Sequence, residues 1–246
     1  MALKDGFITG AAAALPWTIP FSVGCWCKTD VFSAGSAQTF WNGSGSGSER
    51  YTVRHLNGTI ILDCANSFSG VLSVSVAAPT AIDKWVFCLV RSLAINQVRL
   101  DVLNDNGATL THAVTGMTVV APAINQHWIG STTGAGSNLD GSIAEWWYSD
   151  IDVSINATTT LDPSFLFQLA YGGPFSIPHV AQRVLEYRSF RSDLVNDRKV
   201  DETFAYKGSP ISYTIGSTAP IIGEHPPLPY YYQKPYRGID NLIIGA

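Results

Sequence analysis

Short stretches of alternating apolar and polar residues follow one another from Phe21 to Val153, separated by turn residues. "FSVGCWCKTD" (21–30) and "GVLSVSVAA" (70–78) alternate with period two, which sends successive side chains to opposite faces of a strand. "ERYTVRHLNGTIILDC" (49–64) reads as two strands joined at Asn57-Gly58, a dipeptide that tolerates the positive φ of a two-residue hairpin turn. "QVRLDVLNDNGATLTHAV" (97–114) repeats the arrangement at Asn106-Gly107. "KWVFCLVRSL" (84–93) is instead continuously apolar, as expected of a strand covered on both faces. "QHWIGS" (126–131) and "GSIAEWWYSDIDV" (141–153) complete the series, and in the latter Trp146 and Trp147 are predicted to face opposite ways. A helix is predicted only at 163–171, where Asp162 caps, Pro163 takes the first position and Gly172-Gly173 ends the run. Many short strands with turn signals every eight to twelve residues or so predict an all-β sandwich or jelly roll.

Composition narrows the picture. The 246 residues are 46% hydrophobic but only 14% charged, which excludes a disordered chain or a coiled coil and leaves a surface of Ser, Thr, Asn and Gly. A net charge of −4 offers no basic field for nucleic acid or anionic lipid. The start "MALKDGFITGAAAALPW" lacks the cationic region and long apolar core of a signal peptide, and no stretch has the length of a membrane span, so a soluble protein is expected. Cys25, Cys27, Cys64 and Cys88 all lie in apolar runs without metal-ligand spacing, and Cys25 and Cys27 should share a strand face with Phe21 and Val23. They read as reduced, buried, small hydrophobes.

These pieces, in this order, resemble the laminin-G-like branch of the concanavalin A-like lectin/glucanase fold. The resemblance rests on "FSVGCW" (21–26), "WVFCLVR" (85–91), "VRLDVLNDNG" (98–107), "WIGS" (128–131) and "LDGSIAEWWYSDIDV" (139–153), with the short helix after them. It covers roughly residues 18–173 and implies a jelly-roll sandwich of two antiparallel sheets. Some members hold calcium at a rim of the sandwich. The family's Asp before Glu145 is Ala144 here, which weakens the case for such a site; no cofactor is expected, with calcium the one alternative that the resemblance leaves open.

The glucanases of this fold set two carboxylates on one strand as acid and nucleophile. In "EWWYSDID" the separation of Glu145 from Asp150 is odd, which puts them on opposite faces of a regular strand, and Asp150 and Asp152 lie where the strand ends. With no nucleophile elbow, zinc-binding helix motif or phosphate loop elsewhere, a non-enzymatic role is expected. The lectins imply sugar binding, in which an aromatic face stacks on a ring while amides and carboxylates hold hydroxyls. Trp41 and Asn42, Trp128, Asn138, Asp140 and Trp147 are the candidates.

The last third differs. Residues 1–178 carry seven Lys/Arg against twelve Asp/Glu, while 179–246 carry eight against seven. Residues 1–178 are therefore read as the sandwich and 179–224 as a charged connecting segment with short strands, "RVLEYRSF" being strand or marginal helix. Residues 225–246 are read as an extended arm. "HPPLPYYYQKPYR" (225–237) holds four prolines and four tyrosines, a composition that favours an extended chain yet demands a surface to lie on. Pro226, Pro227, Leu228, Tyr230, Tyr231, Tyr232, Tyr236 and Arg237 are the docking candidates, either on the chain's own sandwich or on a neighbouring subunit. Sandwiches of this kind with a His-Pro-rich extended tail look like proteins encoded among bacteriophage structural genes. That resemblance implies a virion component (head decoration or tail-associated) assembled in a host cytoplasm, docked on other virion proteins or copies of itself. The second reading is a carbohydrate-binding module recognising a host or mucosal glycan.

Overall fold

In the computed structural model, the described residues are 2–11, 15, 17–30, 37–45, 50–66, 70–77, 84–94, 97–104, 109–114, 124–132, 139–154, 161–188, 190, 213–215, 217, 220–224 and 226. Among them, fifteen strands build two antiparallel sheets. They are β1 (Ala2–Lys4), β2 (Ile8–Ala11), β3 (Phe21–Thr29), β4 (Gln38–Gly45), β5 (Arg50–Leu56), β6 (Thr59–Asn66), β7 (Gly70–Ala77) and β8 (Val86–Ala94). They continue as β9 (Gln97–Asn104), β10 (Thr109–Val114), β11 (Ile124–Ile129), β12 (Gly141–Ser149), β13 (Val184–Arg188), β14 (Tyr213–Ile215) and β15 (Ile221–Gly223). The first sheet, of eight strands, runs β10-β9-β8-β3-β12-β1-β15, with β13 also on β12. The second, of seven, runs β14-β2-β11-β4-β5-β6-β7. The architecture is an all-β jelly-roll sandwich of two antiparallel sheets, as expected.

Alternation sorts the core into two layers. Cys25, Cys27, Phe21 and Val23 of β3 join Cys88 and Val90 of β8 in the interior between the sheets, where they meet Tyr51, Val53, Leu62 and Cys64 of the second sheet. All four cysteines are free and buried. The opposite face of the first sheet carries Trp26, Phe87, Leu89 and Trp147, and helix α1 (Pro163–Gly172) covers it with Leu166, Leu169 and Tyr171. The apolar run of β8 is thus buried on both sides. Asp162 caps α1 by accepting the Ser164 amide at 2.7 Å, and the Trp26 indole donates to the Ala170 carbonyl at 2.7 Å. A 3-10 turn (Pro174–Ser176) and the one-turn helix α2 (Pro178–Ala181) lead into β13.

The Asn57-Gly58 turn has φ of 50° and 78°, both positive, as a two-residue hairpin requires. It fixes the register of β5 on β6, pairing Leu56 with Thr59 and Thr52 with Asp63. The turn predicted at Asn106-Gly107 lies outside the described residues, although β9 and β10 pair as a hairpin.

The strands beyond residue 178 join the sandwich, β13 and β15 in the first sheet and β14 in the second. Of the two readings of "RVLEYRSF", strand holds over 184–188, paired to β12. One expectation is corrected: β12 is not a regular strand. Between the pairs Ala144–Trp26 and Trp147–Gly24 it has one residue more than β3, a bulge at which Glu145 takes φ of 52°. The extra residue reverses the parity of the strand beyond it. Ile143 faces the sandwich interior and Ala144 faces α1, yet Trp146 again faces the interior and Trp147 faces α1.

Candidate functional site

The proposed sugar-binding aromatics separate sharply once placed. Trp41 is 1% exposed and lies in the interior, its ring 6.4 Å from that of Trp17 and 6.2 Å from His127. Trp147 is fully buried above Gly24, where even a Cβ would come within 2.4 Å of the indole. Neither can present a face to a sugar, which removes both from the candidates. The reason is local: the absent side chain at Gly24 leaves the slot that Trp147 fills, and the bulge aims the ring into it.

Trp128 is half-buried and Asn42 lies directly beside it, because β11 pairs with β4 in that register. Asn138 lies outside the described residues. Asp140 is exposed at a rim, just before β12 of the other sheet, and its amide donates to Gln38 Oε1 of β4 at 2.7 Å. Of the docking candidates, Pro226 is buried, while Pro227, Leu228, Tyr230, Tyr231, Tyr232, Tyr236 and Arg237 lie outside the described residues.

Around Trp128 and Asn42 the ladder builds a row across the outer face of the second sheet. Thr9, Trp128, Asn42, Thr52 and Asp63 are successive partners on β2, β11, β4, β5 and β6. Their strand neighbours Ile8, Ile129, Trp41, Val53 and Leu62 fill the interior, so the row faces outward. Its middle is hydrogen-bonded. The Thr52 hydroxyl donates to Asn42 Oδ1 at 2.6 Å, and Asn42 Nδ2 donates to the Thr132 carbonyl at 2.6 Å. Arg54 Nε donates to Asp63 Oδ2 at 2.5 Å. Asn42, Thr52 and Asp63 form a covered polar floor, while Trp128, Ser44 and Arg54 stand half-buried and Arg50 exposed around it. Sequence reasoning misses Arg50, Thr52, Arg54 and Asp63 as site residues. The signal is there: the Asn57-Gly58 turn dictates which residue of β6 opposes each residue of β5, and "RYTVRH" alternates polar and apolar.

A second polar group lies at the rim of the first sheet. Carboxylate oxygens of Asp5, Asp30 and Asp140 lie within 4.8 Å of one another. Lys4 reaches Asp30 at 2.9 Å and Asp5 at 3.8 Å, and Lys28 reaches Asp30 at 3.4 Å. Partial burial and the neighbouring charges of Asp5 and Asp30 raise the Asp140 pKa, opposed by Lys4. Bonding and charge from Asp30 raise that of Lys4. Two ammonium groups already neutralise most of the cluster, so its residues fit an ion-pair network rather than a calcium site.

The carboxylates considered for hydrolysis are each engaged. Glu145 accepts from the Tyr187 hydroxyl on the side facing the helices. Asp150 takes a bidentate bond from Arg183 at 2.8 and 2.7 Å. Asp152 lies 3.3 Å from buried Arg91, which also donates to Asp101 at 2.8 Å.

Searches of protein families and of curated proteins give no match. Among solved structures the chain is similar to the enzymatically active domain of tailspike protein 2 of bacteriophage CBA120, with a TM-score of 0.50 and 10% identity over 78% of this chain and 28% of that one. It is also similar to domains LG4-5 of the mouse laminin alpha1 chain, with a TM-score of 0.46 and 10% identity over 63% of this chain and 44% of that one. The binding domain of botulinum neurotoxin DC in complex with SialylT aligns with a TM-score of 0.49 and 11% identity over 66% of this chain and 38% of that one. At such identities the likeness is one of fold. The chain spans less than a third of the tailspike chain.

Proposed function

We propose that this chain is a non-catalytic recognition module that binds carbohydrate on the outer face of the second sheet. The observation that carries the reading is the transverse row itself: a partly exposed indole in register with a hydrogen-bonded floor of amide, hydroxyl and carboxylate. An indole gives a sugar ring an apolar platform; Ser44, Arg54 and Arg50, which keep exposure, can bond its hydroxyls, while buried Asp63 holds Arg54 in place. Engagement of Glu145, Asp150 and Asp152 in structural bonds supports the non-catalytic part. A glycan array probed with the full chain tests the proposal, since strands of 179–224 belong to both sheets. Micromolar or tighter binding abolished by Trp128→Ala, with the fold intact, supports it. Binding that survives Trp128→Ala, or none to any glycan, refutes it.

A second reading concerns where the module works: a virion, assembled in a host cytoplasm and docked to other virion proteins or to copies of itself through its C-terminal arm. The favouring observation is topological. β14 and β15 are the outermost strands of the two sheets, so the chain leaves Pro226 from an edge of the sandwich. Four tyrosines beyond that point could bury ~150–250 Å² each, on the scale of a specific interface. Truncation after Pro226 should preserve the melting temperature and abolish assembly or particle binding. Loss of the soluble sandwich would instead place the arm in the domain's own core.

A further inference from the structure

The polar row leaves the chemical class of the sugar open, and the charges around it do not. Through residue 178 the chain carries seven basic residues against twelve acidic ones, yet the outer face of the second sheet runs the other way. Arg50, Thr52 and Arg54 alternate outward on β5, with Tyr51 and Val53 pointing into the core between them. Beside them Asn42 and Ser44 on β4 are neutral, as are Gln126 and Trp128 on β11 and Ile61 on β6. Asp63 is the one carboxylate among the described outward side chains of these four strands, and it is tied to Arg54. The face is therefore locally cationic on an acidic domain.

Arg54 is also oriented. Its Nε is held by Asp63, whose side chain is only 6% exposed, while the arginine side chain retains 25% exposure. A guanidinium fixed at Nε still carries donors at its far end, and their planar fork matches a carboxylate or sulfate. Arg50 stands four residues away along the same strand, about 13 Å at the usual rise, and the row with Trp128 crosses between the two arginines at Thr52.

We infer that the ligand of this face is an anionic glycan, one whose carboxylate or sulfate groups meet Arg54 and Arg50 while a ring lies against Trp128. This rests on the carbohydrate-binding reading of the same face and adds the charge class. Stacking alone would suit neutral sugars equally well; the paired arginines would not.

The test is titration calorimetry of the full chain with three matched oligosaccharides: one bearing a carboxylated sugar, one sulfated, and the neutral parent. At least one anionic form should bind more tightly than the parent by roughly tenfold or more, the scale of one charge-assisted hydrogen bond. Its affinity should fall as salt is raised. Arg50→Gln, at an exposed position that does not threaten the fold, and Arg54→Gln should each remove most of that advantage, and Arg54→Lys should restore it in part. The comparison of carboxylated with sulfated forms identifies the anion. Equal affinity for the neutral parent, unchanged by Arg50→Gln but lost in Trp128→Ala, would overturn the charge inference and leave the carbohydrate reading standing. No binding to any of the three, with an empty glycan array, would overturn both.

Discussion

His127 should make the fold acid-sensitive by a predictable amount. Its ring is fully buried between the sheets, 4.6 Å from Trp146 and 6.2 Å from both Trp17 and Trp41. Glu186 and Arg188 are buried nearby on β13, joined at 2.5 Å. Burial, and secondarily the charge of Arg188, push the His127 pKa from 6.5 down to about 3. The folded-state pKa thus lies below the unfolded one. Above about pH 6.5 neither state is protonated and the residue contributes no pH dependence. As pH falls below that value the unfolded chain takes up a proton that the folded chain refuses, so stability falls by ~1.4 kcal/mol per pH unit. Integrated down to about pH 3, the loss is about 4–5 kcal/mol, a large share of the ~5–15 kcal/mol typical of a domain. Urea unfolding of the wild type and of His127→Asn, followed from about pH 7 to about pH 4, isolates this contribution. The variant adds a constant cavity cost at every pH, while carboxylate contributions are common to both proteins. The wild-type curve should therefore be steeper by ~1.4 kcal/mol per unit over the lower part of the range. Parallel curves would refute the argument, showing that His127 is solvated or protonated within the fold.

Other expectations rest on single contacts. Gly24→Ala should destabilise by about 1–3 kcal/mol in thermal or urea unfolding, because its Cβ would meet the Trp147 ring at 2.4 Å. An unchanged stability would show that Trp147 does not rest on β3. Mass spectrometry after alkylation of the denatured, unreduced protein should count four free thiols, and a disulfide between any pair contradicts the reduced core. Glu145→Gln should cost about 1 kcal/mol by weakening the bond from Tyr187, and change nothing else. Hydrolysis of a glycan polymer by the wild type, abolished by that substitution, would overturn its structural role.

The long strands are legible in the sequence because each buries one or both faces and so shows a period. β3, β8 and the β5–β6 hairpin follow their alternation and their Asn-Gly turn, and α1 follows its Asp162 cap. β1 and β2 are not legible, since strands of three or four residues hold too few positions to display a period, and the short strands expected in 179–224 give no sign of their partners. They pair because the chain's beginning meets that distant segment at an edge of each sheet, Leu3 with Ile222 and Thr9 with Thr214. The bulge at Glu145 is hidden for another reason. Nothing in "IAEWWY" marks an extra residue, so counting parity across it misassigns every side chain on one side. The site is half legible. Chemistry points to Trp128 and Asn42 separately, but their adjacency is a product of the β11–β4 register, which no local pattern encodes. The same chemistry points to Trp41 and Trp147, which are core, as large apolar rings on central strands of a sandwich usually are.

The most direct test of the central claim is a nuclear magnetic resonance titration of the isotopically labelled full chain with the best glycan from the array. The account predicts that the largest shifts fall on the Trp128 indole N–H, the Arg54 Nε–H and the backbone amides of β4, β5 and β11 around Asn42 and Thr52. Shifts confined to the rim of Asp5, Asp30 and Asp140, or to the helix-covered face of the first sheet, would contradict it.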